Sequence, residues 1–402
     1  MKTNTSSWKV NKFQKISAIT SHKEKLYFPG INALRFFAAL GVIITHVELL
    51  KGSFGFENCW TNPIIFNLGG LGVYFFFVLS GFLITYLLLE EKEKYGTINI
   101  KSFYIRRILR IWPLYYIICV LGFFILPYFT GLQISYLETD FKQHFASNLL
   151  LYLLILPNLA FSMFPAVPHI GQLWSIGVEE QFYLVWPWLI SKAKNLLSFL
   201  VYLILAILVL KIFVLILGHF YSGLRWYQVL KNFVAMSKFE CMAIGGIAAL
   251  IYRGKLINIQ RFVYNARVFN LSLICIPFLI LFTPDLIQDG IHILYSFIFL
   301  IIILYISSGK KLWVNLETGI FSYLGKISYG IYMYHLLVIP SMLFLVKKYG
   351  LGMNALGTNF FIYLGSIFGT IFLAGISYSL VESPFIKLKS KYAIIRSSDE
   401  KM

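Results

Sequence analysis

Long apolar runs and short polar segments alternate along the whole chain. Eleven runs approach the length of about 20 residues that an α-helix needs to cross a bilayer. They lie near residues 31–50, 69–89, 108–128, 148–163, 173–190, 197–218, 238–252, 267–284, 289–306, 323–346 and 359–381. The pattern predicts an all-α fold, that of a polytopic helical membrane protein without a separate soluble domain.

The basic residues between these runs predict the orientation of the chain. Lysine and arginine are concentrated in the first 28 residues, between Glu90 and Arg110, and near the end of the chain. Such clusters favour the cytoplasmic side of a membrane. Both termini are therefore expected in the cytoplasm, which requires an even number of spans. The first apolar run lacks the small-residue cleavage site of a signal peptide, so we expect it to remain as a span.

The segment 148–163 is the odd member of the series. It is short and is followed by several prolines, so it is expected to lie in the membrane interface or to re-enter the bundle. About ten full spans remain. The predicted organisation is a basic cytoplasmic tail over 1–28, a membrane domain over 29–385 and a second cytoplasmic tail over 386–402.

Composition agrees with this class of protein. The 402 residues are 58% hydrophobic and 13% charged, with a mean hydropathy of +0.75, which is too apolar for a soluble domain. The net charge of +18 does not indicate nucleic-acid binding, because no basic patch interleaved with aromatic residues accompanies it. The cysteines show no pair spacing, so we expect neither a disulfide framework nor a metal site. No bound cofactor is expected either.

Two polar residues inside the first run are the main candidates for chemistry. Arg35 and His46 are eleven positions apart in an otherwise uncharged segment, which places them on one helix face, about 16 Å apart along the axis. A charge in a membrane helix costs about 2.5–3.5 kcal/mol on insertion scales, so it usually faces a bundle interior or a ligand pathway. The predicted orientation puts Arg35 toward the cytoplasm and His46 near the outer end.

This pair suits a site that admits an anionic ligand from the cytoplasm and carries out proton chemistry near the far face. The structural alternative is an arginine that reaches one membrane face and a histidine hydrogen-bonded in the core.

Arg106, Arg107 and Arg110 form a second cluster at the cytoplasmic end of the third run. Guanidinium groups so close together suit bidentate binding of phosphates. Arginine at a cytoplasmic helix end also occurs as ordinary anchoring. The choice of arginine over lysine at all three positions favours a phosphorylated ligand.

Two adjacent carboxylates, Glu179 and Glu180, lie one to two turns into a membrane helix. Acids in such a place are costly unless they are paired, protonated or hydrated. Neighbouring residues on a helix point about 100° apart, so at most one is expected to reach a shared site. Either an arginine pairs with them structurally, or a carboxylate orients an imidazole or binds a hydroxyl-bearing acceptor.

Other residues are candidates for supporting roles. The glycine-rich run before Ser80 indicates close helix packing. His335 lies beside three tyrosines, where core hydrogen bonding explains it equally well, and Glu382 resembles a helix-end residue held by a basic partner. The supporting candidates are Ser80, Trp174, Ser175, Tyr183, His335 and Glu382.

Taken in order, these motifs resemble those of the acyltransferase-3 family of integral membrane acyltransferases. The resemblance is carried by Arg35 and His46, Ser80-Gly81-Phe82-Leu83, Arg106-Arg107-Ile-Leu-Arg110-Ile with Pro113, Trp174-Ser175-Ile-Gly-Val-Glu179-Glu180-Gln181-Phe182-Tyr183, Ser328-Tyr329-Gly-Ile-Tyr332 with His335, and Glu382-Ser-Pro384. Each motif is weak alone, but the ordered set is specific and extends from about Pro29 to Phe385. One departure is Lys238 before Phe239-Glu240, where the family pattern leads us to expect an arginine and an acid.

The resemblance implies transfer of an acyl group, commonly acetyl, from cytoplasmic acyl-coenzyme A to a hydroxyl at the outer face of a bacterial cytoplasmic (inner) membrane. The acceptor is usually a glycan or glycolipid of the cell envelope, such as a polysaccharide or lipopolysaccharide. Arg35 and His46 match the functional pair of such proteins, and Arg106 to Arg110 match the cluster associated with the donor. Many relatives also carry an esterase-like domain after the bundle. We expect no such domain here, so the bundle itself or a separate protein would deliver the acyl group to its final acceptor.

On this basis we expect Arg35 and the arginine cluster to hold coenzyme A and His46 to act as general base. Glu179 or Glu180 would orient the imidazole or the acceptor. Direct attack and an acyl-histidine intermediate both fit these residues.

Other function classes also account for charges inside a membrane. A secondary transporter or flippase would use them as a substrate pathway, and a non-catalytic scaffold would tolerate their substitution. Within the enzyme class, the acceptor is alternatively a small molecule or a lipid. The expected partners are acyl-coenzyme A, the acceptor and the lipid bilayer, with the oligomeric state left open.

Overall fold

The computed structural model describes residues 27–132, 141–282, 290–350 and 353–392. Within these ranges the regular structure is entirely helical and contains no strand, so the predicted all-α class is confirmed. Most of the predicted tail over 1–28 lies outside the described residues, as does the part of the tail over 386–402 that follows Tyr392.

The helices are α1 Ile31–Lys51, α2 Pro63–Tyr95, α3 Ile100–Val120, α4 Phe145–Leu153, α5 Pro157–Met163, α6 Leu173–Lys192, α7 Leu196–Tyr221, α8 Arg225–Met236, α9 Phe239–Tyr252, α10 Ile257–Val263, α11 Ala266–Phe282, α12 Ile291–Ser307, α13 Gly319–Lys326, α14 Ser328–Tyr349, α15 Ala355–Ser377 and α16 Ser383–Lys391. A π-helical turn over Leu121–Ile125 extends α3, and a second one over Tyr378–Glu382 joins α15 to α16. Single 3₁₀ turns lie at Gly52–Phe54, Leu126–Tyr128 and Thr130–Leu132.

Seven helical segments of the described chain are long and apolar enough to cross a membrane, or eight if the bent pair α10 and α11 forms one span. The protein is therefore an integral membrane protein, but the predicted count of about ten spans is not confirmed. Helix α6 has 20 residues, yet its adjacent acids and glutamine lower its mean hydropathy, and α12 has only 17 residues. The segment expected to be interfacial or re-entrant folds as α4 and α5, with nine and seven residues.

Helix α2 packs against both α1 and α9, and glycines permit the close approach. A Cβ at Gly72 would overlap the carbonyl oxygen of Ala38 on α1. On the other side, a Cβ at Gly81 would overlap the carbonyl oxygen of Met242, and one at Gly245 would overlap that of Val78. The small residues thus allow backbone-to-backbone contact, which confirms the packing interpretation of the glycine-rich run.

Glu91 joins the end of α2 to the start of α3. Its buried carboxylate accepts a hydrogen bond from the Asn99 backbone N–H at 2.6 Å and pairs with Arg106 Nη2 at 3.3 Å. The Asn99 side chain caps α3 by accepting from the Ser102 N–H at 2.9 Å. These bonds fix the start of the helix that carries the arginine cluster.

Candidate active site

A cavity of about 190 Å³ lies between helices α1, α2, α3, α6, α14 and α16. We call it the arginine cavity, because its charged lining residues are Arg35, Arg107, Arg110, Lys389 and Glu179. Four cations therefore surround one carboxylate in a space enclosed mainly by apolar side chains. Electrostatic interactions are strong in such surroundings, so the cavity favours an anionic occupant.

Arg107 is held in this cavity by aromatic rings. Its guanidinium lies 5.5 Å from the centre of the Tyr183 ring and 5.7 Å from that of Phe103. The Tyr183 hydroxyl donates to Glu179 Oε2 at 2.5 Å, and Ser80 lines the same cavity. The buried Nε of Arg107 has no hydrogen-bond partner among the described residues, so this donor is available to a ligand.

Arg106, the third member of the predicted cluster, faces another way. Besides pairing with Glu91, its Nη1 donates to the Tyr392 carbonyl oxygen at 3.0 Å. It is not among the residues that line the arginine cavity. Two of the three clustered arginines therefore reach the cavity, and the third joins α3 to the end of the described chain.

The two adjacent glutamates also diverge. Glu179 lines the arginine cavity. Glu180 accepts a hydrogen bond from Trp112 Nε1 at 2.8 Å and lines neither this cavity nor the second one, which is described below.

Helix α6, which carries both glutamates, is held against α5 by paired side-chain amides. Asn158 and Gln181 exchange hydrogen bonds of 3.1 and 2.7 Å.

A second cavity, of about 730 Å³, has His46 in its wall. We call it the histidine cavity. Its polar lining includes His169, Gln172 and Asn67. Its aromatic lining consists of Trp60, Phe66, Tyr74, Phe161, Trp174, Tyr295 and Tyr332. Burial lowers the pKa of His169, which lies in the loop before α6, so this imidazole is neutral at pH 7.

A backbone carbonyl orients the His46 ring. Nδ1 lies 2.9 Å from the Val42 carbonyl oxygen, and a carbonyl only accepts, so Nδ1 carries the proton and Nε2 keeps a free lone pair. Neither Glu179 nor Glu180 hydrogen-bonds His46 among the described residues. A second imidazole, that of the buried His335, packs beside it with ring centres 4.8 Å apart.

His335 has a similar arrangement. Its Nδ1 bonds to the Tyr332 carbonyl oxygen at 2.6 Å, and its Nε2 has no hydrogen-bond partner in the described chain.

The two cavities meet at Val73 and Tyr332, which line both of them. The Tyr332 hydroxyl donates to the Gln172 carbonyl oxygen at 3.1 Å and lies 2.7 Å from Ser175 Oγ. Ser175 lines the arginine cavity and the adjacent Trp174 the histidine cavity. The cationic arginine cavity and the histidine cavity thus share a wall inside the bundle.

Comparison with known proteins decides the family. A family model described as an acyltransferase domain matches residues 28–379. The chain belongs to the acyltransferase-3 family. The resemblance drawn from the ordered motifs is therefore confirmed.

Relatives of this chain include O-acetyltransferase OatA from two strains of Staphylococcus aureus, NCTC 8325 / PS 47 and COL. Each is 29% identical over 380 residues, which cover 90% of this chain and 57% of the relative. Across the curated relatives that it matches first, the chain spans 57–61% of their length. No solved structure matches the chain significantly.

Several residues that line the two cavities were not candidates on sequence grounds. Lys389 lies in the segment assigned to a cytoplasmic tail, and neither spacing nor periodicity connects it with Arg35. Tyr332 was recognised only as part of the motif that ends at His335. His169 follows a proline and has a φ of 63°, a left-handed conformation that is uncommon for a non-glycine residue.

A further buried ionic cluster lies beside the histidine cavity. Glu240, at the start of α9, is fully buried and pairs with Lys211 of α7 and with His292 Nε2 of α12, the latter at 2.6 Å. The His292 ring lies 5.7 Å from that of Tyr74, and the Lys238 ammonium is 5.7 Å from the same ring. The departure from the family pattern at Lys238 therefore falls beside this cluster.

Replacing Glu240 with alanine is expected to destabilise the protein by about 3–5 kcal/mol, because the Lys211 side chain, which is only 15% exposed, would lose its carboxylate partner. Thermal unfolding of the purified protein in detergent measures the effect. The exposed Glu57 is a matched control, and its replacement with alanine should leave the unfolding temperature unchanged. Equal unfolding temperatures for both variants would show that the cluster contributes nothing to stability.

Proposed function

We propose that this chain transfers an acyl group, most simply acetyl, from acyl-coenzyme A on the cytoplasmic side to a hydroxyl of a glycan or glycolipid at the outer face of the membrane. One observation carries the proposal: a cationic chamber and a histidine-bearing chamber meet at Val73 and Tyr332 within the bundle. The family and the O-acetyltransferase names of the relatives support acyl transfer and favour it over the transporter alternative.

The donor fits the arginine cavity. Coenzyme A carries its phosphates at one end and its thioester at the other, joined by a long and flexible pantetheine arm. Arg107 and Arg110 are the guanidiniums best suited to the phosphates, and Arg35 would steady a phosphate or the polar arm. With the phosphates held there, the arm would place the thioester near Tyr332, where the two cavities meet.

The acceptor fits the histidine cavity. Its larger volume and aromatic walls suit sugar rings, which combine apolar faces with hydroxyl edges. The side-chain amides of Asn67 and Gln172 in the wall offer donors and acceptors to those hydroxyls.

In the proposed reaction, His46 Nε2 removes the proton from the acceptor hydroxyl as its oxygen attacks the thioester carbonyl. The tetrahedral intermediate then collapses, the carbon–sulfur bond breaks, and the thiolate of coenzyme A takes the proton back from His46. The hydrogen bond from Nδ1 to the Val42 carbonyl stabilises the imidazolium that forms in between. In a two-step route, the same Nε2 would attack the thioester carbonyl, and the carbon–sulfur bond would break as the coenzyme A thiolate leaves an acyl-histidine. The acceptor hydroxyl would then take the acyl group from His46 and give its proton to the thiolate.

The test supplies acetyl-coenzyme A labelled in the acetyl carbon to inside-out membrane vesicles with and without this protein. We expect label in the glycan or glycolipid fraction only when the protein is present, and mass analysis of the product identifies the modified hydroxyl. Label that crosses the membrane without becoming covalently attached would support a transporter instead. Label in a soluble product or a simple lipid would replace the proposed acceptor.

The adjacent arginines of α3 give a matched pair of variants. Arg107→Lys is expected to raise the KM for acetyl-coenzyme A about tenfold, because a lysine cannot reproduce bidentate phosphate contacts or the stacking on Tyr183. Arg106→Lys should raise this KM by a clearly smaller factor, since Arg106 lies outside the arginine cavity and lysine can still pair with Glu91. The comparison is made by initial rates over a range of donor concentrations. An equal rise in both variants would contradict the separate roles of the two arginines.

A further inference from the structure

The last described helix contributes a charge to the arginine cavity. Lys389 lies near the end of α16, is only 7% exposed and lines the cavity together with Arg35, Arg107 and Arg110. Its neighbour Lys387, two positions earlier, is exposed. The two lysines of one short helix therefore have opposite environments.

Helix α16 is held firmly where it lies. It packs against α3 and is continuous with α15 through the π-helical turn, as part of one helical segment over Ala355–Lys389. At the start of α16, the buried Glu382 interacts electrostatically with Arg110 and Arg35. Beyond its end, the Tyr392 carbonyl accepts from Arg106 at 3.0 Å. A hydrogen bond to Arg106 therefore fixes the chain just beyond the end of α16, and the negative charge of Glu382 at its start attracts Arg110 and Arg35.

The charge balance of the cavity indicates what this arrangement is for. Four cationic side chains share the wall with the carboxylate of Glu179, which already accepts from Tyr183. Even with the buried Glu382, which interacts with Arg110 and Arg35 from outside the wall, the cations outnumber the carboxylates by four to two. Like charges repel strongly in apolar surroundings, and a bound anion removes that repulsion. A fourth cation in the wall adds to the attraction for a ligand with several phosphate oxygens, and little to the binding of a neutral one.

We propose that Lys389 binds a phosphate group of acyl-coenzyme A, so that α16 completes the donor site. This inference rests on the proposed function for the identity of the donor. Arg106 and Glu382 would then be positioning residues, because they act on the donor only through the placement of α16. The donor site is thereby built from both ends of the described chain, with Arg35 on its first helix and Lys389 on its last.

The test measures the affinity of the full chain for acetyl-coenzyme A and for S-acetylpantetheine, which lacks the nucleotide phosphates. The protein is purified in nanodiscs of phosphatidylcholine, so that no anionic lipid competes for the cavity. Lys389→Gln is expected to weaken binding of acetyl-coenzyme A about ten- to a hundredfold, the usual effect of losing a charged hydrogen bond. Binding of S-acetylpantetheine should not change. Lys389→Arg should restore most of the affinity, and Lys387→Gln should bind like the wild type.

Each other outcome has a distinct meaning. If the wild type binds acetyl-coenzyme A and Lys389→Gln binds it equally well, the inference is wrong while the proposed function stands. Equal losses for both probes, or no rescue by arginine, would show that Lys389 only maintains the structure and would also overturn the inference. Failure of the wild-type protein to bind acetyl-coenzyme A would overturn the proposed function itself.

Discussion

Replacing His46 with alanine is expected to reduce acyl transfer by about 10²–10⁴-fold, the usual contribution of a positioned general base. The reason is geometric: the hydrogen bond from Nδ1 to the Val42 carbonyl leaves Nε2 as the proton acceptor in the wall of the histidine cavity. The measurement is the rate at which label from acetyl-coenzyme A appears in the acceptor fraction of vesicles. Binding of acetyl-coenzyme A should be unaffected, because His46 does not line the arginine cavity.

His219 provides the control for this substitution. It lies near the end of α7 and is exposed, so His219→Ala should transfer label at the wild-type rate. A His46→Ala variant that transfers label normally would remove His46 from the mechanism. Loss of transfer together with loss of donor binding would indicate collapse of the bundle rather than loss of a base.

Replacing Arg35 with alanine is expected to weaken the binding of acetyl-coenzyme A about ten- to a hundredfold. The reason is that the wall of the arginine cavity loses a charged group that can donate hydrogen bonds. Transfer should fall at least in proportion, since the thioester would no longer be held near Tyr332. Donor affinity in nanodiscs and initial rates in vesicles measure the two effects separately.

Arg261→Ala is the matched control, because Arg261 on α10 is exposed and lines neither cavity. It should bind and transfer like the wild type. If Arg35→Ala keeps the wild-type affinity for acetyl-coenzyme A, the arginine serves only the packing of α1, and another cation must hold the donor.

The hydrophobic pattern predicted the fold class because each span must satisfy its backbone hydrogen bonds within its own helix. It did not predict the number of spans equally well. In α6, the residues that indicate chemistry are the same ones that make the helix less apolar, so a polar functional helix and a non-spanning helix look alike in the sequence. Helices α8 and α9 form one apolar segment, Arg225–Tyr252, where the pattern indicated a span only over 238–252.

The relative positions of candidate residues on one helix could also be predicted from the sequence. Helical spacing put Arg35 and His46 on one face, and the structure places the first at the arginine cavity and the second at the histidine cavity. The same geometry implied that Glu179 and Glu180 would separate. Local periodicity carries such information because it depends only on the helix itself.

Interactions between distant segments could not be predicted in this way. Arg106 differs from Arg107 in its partners, Glu91 and the Tyr392 carbonyl, and neither partner is marked in the sequence near α3. Lys389 reaches the arginine cavity only because α16 packs against α3. Tertiary packing, which a single sequence does not display, decides which of several similar cations meets the ligand.

The shared wall of Val73 and Tyr332 has a consequence for the cell as well as for the reaction. A continuous passage wide enough for a pantetheine arm and a sugar would also conduct water, protons and small ions, and would dissipate the electrochemical gradient of an energised membrane. Two chambers separated by side chains avoid this leak of protons and ions. In the proposed reaction only the acyl group and one proton pass this boundary, so the membrane would remain closed to other ions throughout each turnover.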